Sequence, residues 1–71
     1  MKNVVTAEYV QGIVDGRAYF RRFQPDRASL VANVRNLEET MRGFSPGPVK
    51  DALRGERDFM RNQIKRLLAT G

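Results

Sequence analysis

Residues 24–48 read QPDRASLVANVRNLEETMRGFSPGP, from Gln24 to Pro48. Between a break at Gln24-Pro25-Asp26 and a second at Gly43-Phe44-Ser45-Pro46-Gly47-Pro48 stands one uninterrupted periodic segment. Proline lacks the N–H that a helix interior needs and restricts the residue before it, so each break ends a helix. Asp26 is placed to cap the segment at its start, and Gly43 to stop it at C′. The apolar positions Leu30, Val34, Leu37, Met41 and Phe44 are spaced 4, 3, 4 and 3 residues apart, which is a heptad seam. Two heptads are too few for a free-standing coiled coil, so the seam predicts near-antiparallel packing against neighbouring helices.

The flanking segments have the same period. Upstream, Ala7 to Phe23 follows Thr6 as N-cap, with Glu8 in the first turn, where the helix dipole favours an acid. At about 100° per residue, Tyr9, Ile13, Gly16, Phe20 and Phe23 fall on one face, while Gln11, Asp15 and Arg22 fall opposite. Gly12 and Gly16 lie one turn apart beside that face. Each costs about 1 kcal/mol relative to alanine in a helix, which predicts a second helix crossing closely there. Downstream, a third helix runs over 48–69, capped by Ser45 or Gly47, with Pro46 or Pro48 near its first position. Val49, Ala52, Leu53, Met60, Ile64 and Leu67 share its apolar face, and Gly55 is a weak point at mid-helix. The expectation is an all-α protein with one domain over 1–71, an up-down-up three-helix bundle of about 7–23, 27–42 and 48–69.

A 71-residue chain buries a modest core, which supplies about 3–5 kcal/mol without further help. There is no cysteine or histidine, which removes disulfides and the common zinc frameworks. Self-association is therefore expected to complete the bundle, in its simplest form as a dimer. The missing His and Cys also remove the usual general base and thiol nucleophile. Ser45-Pro46-Gly47-Pro48 lacks the Gly-Lys-Ser/Thr ending of a phosphate-binding loop. Glu38 and Glu39, adjacent on a helix, point about 100° apart and make no metal site. No catalysis, metal or cofactor is expected. The N-terminus lacks the apolar run of a signal peptide and no stretch suits a membrane span, so the reading is cytoplasmic, with no membrane partner.

The net charge is +5, from thirteen Lys and Arg against eight Asp and Glu, and ten of the cations are arginine. Arginine forks suit phosphates and carboxylates alike, so the totals point to a polyanion or an acidic protein surface. Tyr19-Phe20-Arg21-Arg22-Phe23 interleaves aromatics with cations at the end of the first helix, and Arg61, Lys65 and Arg66 crowd the end of the third. In an up-down-up bundle these ends coincide. Tyr19, Arg21, Arg22, Arg61, Lys65 and Arg66 are therefore the candidate surface for a protein or nucleic-acid partner. Cations at helix C-termini are also favourable for the dipole alone. Arg17 and Glu56 project within the apolar arcs of the first and third helices. If those helices run parallel, the two form a candidate ion pair that fixes register.

Two strings carry a resemblance. Residues 11–20, QGIVDGRAYF, and residues 47–63, GPVKDALRGERDFMRNQ, resemble the opening and closing helices of small proteins encoded by tailed phages and prophages. The resemblance implies a compact accessory product acting in the bacterial cytoplasm, with no catalytic residues to carry over. Many such products act by binding and redirecting host proteins, which the resemblance implies here. The expected function is thus a non-enzymatic phage accessory protein that binds another, host protein as a small helical homo-oligomer. The alternatives are a basic nucleic-acid-binding protein with little sequence specificity, and a minor virion structural or assembly component.

Overall fold

The computed structural model describes residues 5–70; the rest of the expected 1–71 domain, residues 1–4 and 71, lies outside the described residues. Three helices form: α1 over Ala7–Phe23, α2 over Arg27–Arg42 and α3 over Pro48–Thr70. The fold is all-α, and no strand occurs among the described residues.

Local chemistry sets each boundary. Thr6 caps α1 by accepting the Tyr9 N–H at 3.1 Å, and its hydroxyl donates to Asp51 on α3 at 3.1 Å. The helix ends at Gln24, whose N–H donates to the Phe20 carbonyl at 2.8 Å. Gln24 holds a left-handed φ of 44°, which side chains other than glycine adopt at a cost. Asp26 caps α2, accepting the Ser29 N–H at 2.9 Å. These bonds hold the Asp26 carboxyl below its ordinary pKa, the backbone bond from Ser29 first.

Gly43 does follow the last residue of α2, but it does not take the left-handed conformation usual for such a stop. Its φ is −84°, and the chain tightens instead. Gly43 N–H donates to Thr40 and Phe44 N–H to Met41, both at 3.1 Å. Of the two capping residues left open for α3, Gly47 takes the role: its carbonyl accepts the Asp51 N–H at 2.9 Å, with Pro48 as the first helical residue.

α3 is the central element. It packs on α1 and on α2, whereas α1 and α2, neighbours in sequence, do not pack on each other. Contacts between α1 and α3 advance in the same direction, Thr6 with Asp51, Gly12 with Ala52 and Gly16 with Phe59, so these helices are parallel. Those between α2 and α3 run oppositely, with Glu38 beside Arg57 and Val31 beside Lys65. The up-down-up course and the antiparallel seam are therefore both present.

The close crossing foreseen at Gly12 and Gly16 is made with α3, and Gly55 is its counterpart. A Cβ on Gly12 would overlap the Ala52 carbonyl, and one on Gly55 would overlap the Tyr9 carbonyl. Gly55 is thus a close-approach residue, not a weak point: the backbones touch there, and the propensity lost by glycine is offset by contact along two helices.

The apolar core is thin. Leu30, Met41 and Met60 are its buried large side chains among the described residues. Leu30 and Met41 come from the seam, which otherwise fades outward: Phe44 lies exposed past the end of α2. Val49 and Leu67, expected on the covered face of α3, and Phe23, expected on that of α1, are exposed at the bundle ends. There the partner helices no longer reach over them. Phe23 is 61% exposed, whereas Phe20 meets the Phe59 ring edge-on at 6.1 Å.

Candidate functional site

The arrangement gives the molecule two faces along α3. On one, a polar clasp ties all three helices together. The Tyr9 hydroxyl donates to Asp58 at 2.6 Å, a charge-assisted bond from α1 to α3. That carboxylate raises the Tyr9 pKa, chiefly through the hydrogen bond itself. Arg57 holds Asp58 at 3.1 Å and reaches Glu38 of α2 at 3.7 Å, and Arg54 lies 5.1 Å over the Tyr9 ring.

On the other face, α1 and α2 splay apart and leave a cleft of about 250 Å³ floored by α3. Tyr19 comes from α1, Asn33, Asn36, Leu37 and Thr40 from α2, and Glu56 and Met60 from α3. The Asn33 amide donates to the Tyr19 hydroxyl at 3.0 Å, bridging the two splayed helices across the cleft. The Thr40 hydroxyl donates to the Asn36 carbonyl at 2.9 Å.

Glu56 does not pair with Arg17: no ion pair joins them, although α1 and α3 are parallel as the pairing required. The reason is rotation about α1. Arg17 and Tyr19 project about 200° apart, and Tyr19 faces the cleft that holds Glu56. Arg17 therefore stands on the opposite side of the α1·α3 contact, exposed to solvent. Burial, and secondly the Asp15 carboxylate, push the Glu56 pKa above its ordinary value.

The structure brings only part of the candidate basic end together. Arg21 and Arg22 are exposed on the last turn of α1, and Arg22 sits 5.6 Å from the Phe23 ring. Because α1 and α3 run parallel, Lys65 and Arg66 lie toward the same end. Arg61 lies at least a turn further in, 3.9 Å from Glu38. With Lys65 it borders a shallow depression of about 220 Å³ that also includes Val31, Val34 and Ile64. Tyr19 meets the Phe23 ring at 5.0 Å with the planes tilted by 43°, and its hydroxyl accepts from Asn33 in the cleft.

The cleft was not foreseen as a site. Its signal in the sequence is the polar row Asn33, Asn36 and Thr40, spaced 3 and 4 residues along α2 beside the apolar seam. Among the described residues no three Asp, Glu, His or Cys gather as a metal site would require, and no helix is long and apolar enough to cross a membrane. The class defined is a three-helix protein with a central third helix and an open lateral cleft. Comparison with protein-family models, with curated proteins and with solved structures gives no match.

Proposed function

We propose that this is a non-catalytic binding protein, a phage or prophage accessory product of the bacterial cytoplasm that docks on another protein while self-associated. One observation carries the reading. Among the described residues nine large apolar side chains are exposed, against three that are buried. Scattered apolar residues are ordinary on any surface, but here the exposed ones outnumber the fully buried ones, and the rest of the core is only half-buried. Phe23, Leu67 and Leu68 lie toward one end of the bundle, and Val5, Phe44 and Val49 toward the other, so burial is available to a second copy and to a partner. The resemblance of residues 11–20 and 47–63 to phage-encoded proteins supports the origin.

Sedimentation at micromolar concentration tests the oligomer, and affinity capture from a bacterial lysate, with and without nuclease, tests the partner. A mass of 8.1 kDa would remove self-association from the proposal. A nucleic-acid-binding reading has its own support in Arg21, Arg22, Lys65 and Arg66, cations gathered toward one end. It requires binding at about 50 mM salt that collapses by about 200 mM.

A further inference from the structure

We propose that the cleft between α1 and α2 is a receptor for one arginine side chain of the partner protein, with Glu56 as its anchor. The inference rests on the docking reading above and names the chemistry that the partner must present. At about 250 Å³ the cleft falls below the roughly 300–1,000 Å³ of small-molecule sites, and suits a single long side chain.

Charge selects a cation. Among the described residues Glu56 has no ion pair, and the charged group that acts on it is Asp15, of the same sign. The lining contributed by α2 is uncharged, as is Met60 beside Glu56 on α3. A chain of net charge +5 therefore carries, on this one face, a half-buried carboxylate that no cation among the described residues pairs with. In such a partly desolvated place a cation is held more strongly than on the open surface.

Hydrogen-bond inventory and shape select arginine. The Asn33 amide is engaged with Tyr19 and the Thr40 hydroxyl hydrogen with the Asn36 carbonyl, which leaves the Asn33 and Thr40 side-chain oxygens as acceptors. The Glu56 carboxylate and the Asn33 side-chain oxygen, both in the cleft lining, are acceptors that suit a group with five donors and no acceptor. Thr40 supplies a further acceptor about two turns along α2. A guanidinium meets a carboxylate through two parallel bonds and lies flat on a ring such as Tyr19, and its methylene stem fits the Leu37 and Met60 walls. An ammonium group lacks the planar fork.

The test uses the isotope-labelled full chain and N-acetyl-arginine amide as probe, followed by NMR. The expected result is saturable millimolar binding with shifts at Tyr19, Asn33, Asn36 and Glu56. Binding weakens at least tenfold for the uncharged isostere N-acetyl-citrulline amide, and at least tenfold in Glu56→Gln. Absence of saturable shifts at these residues, or equal binding by citrulline or by the folded Glu56→Gln variant, overturns the proposal. Lysate capture with both proteins separates the two readings. A partner retained equally by wild type and Glu56→Gln sinks the arginine receptor and leaves docking intact. Arginine binding with no protein captured by either overturns docking and leaves the cleft chemistry standing.

Discussion

A methyl group added at Gly12 would run into the Ala52 carbonyl, whereas one added at Gly16 would stand 3.3 Å from the Phe59 ring. A backbone carbonyl in a helix cannot yield, but a phenyl ring can turn slightly. Gly12→Ala is therefore expected to destabilise by about 3 kcal/mol or more, enough to unfold a domain of this size. Gly16→Ala should stay within about 1 kcal/mol of wild type, since helix propensity compensates for the crowding. Urea titration followed by circular dichroism distinguishes the two, and equal midpoints would refute the close crossing. Gln24 offers the reverse experiment. Its φ of 44° is paired with a proline at the next position, and both features disfavour the conformation it holds. Gln24→Gly should gain about 0.5–1 kcal/mol, read as a higher melting temperature, after allowance for the freedom glycine adds to the unfolded chain.

Glu56 makes a prediction with a sign. Its native pKa is raised above the ordinary 4.5, so the native state binds its proton more tightly than the unfolded state does. Its contribution to stability is then fully favourable below about pH 4.5 and is lost as pH rises through the native value. Wild type should lose stability relative to Glu56→Gln between pH 4.5 and pH 7.5. Parallel pH profiles for the two proteins would show that the carboxylate is not desolvated. Asp26 acts oppositely: its lowered pKa gives stability above the ordinary 3.8 that disappears as pH falls through the native value.

Among the elements, the helices were legible because their ends are written in short-range chemistry: Thr6, Asp26 and the prolines act within a turn of where they stand. Side choice was not legible. That Gly12 and Gly16 would meet another helix follows from composition, but which way α1 is rolled on α3 depends on where backbone touches backbone. Gly55 helps fix that, and read alone it looked like a defect. Arg17 and Asp15 lie about 200° apart around α1, so the roll of that helix on α3 decides which of the two faces Glu56. The same roll carries Tyr9 onto Asp58, a bond that links positions 49 apart and has no local signature. Tyr9→Phe is expected to cost about 1–2 kcal/mol, and Asp58→Asn a similar amount. In a double-mutant cycle the losses should fail to add, and full additivity would argue that the hydroxyl and carboxylate do not interact.

For the whole molecule, the exposed apolar ends predict that apparent stability depends on protein concentration. Mass action stabilises any associated native state, so the melting temperature should climb over a hundredfold rise in concentration. A constant value would mark the monomer as self-sufficient. The charge pattern sets a second expectation. Repulsion between copies of charge +5 weakens with salt, so association should strengthen, or hold, as ionic strength increases. Nucleic-acid binding would follow the opposite trend.

Because α1 and α2 pack on α3 and not on each other, the order of synthesis works against early folding. The two helices made first emerge with no surface to settle on, and the helix that organises both is the last of the three to leave the ribosome. Residues 5–46 alone should then show little ordered helix by circular dichroism, and adding α3 in trans should restore it. The newborn chain accordingly passes through a window in which its apolar seam and its glycine face are open to chaperones and proteases. That window closes when the third helix arrives.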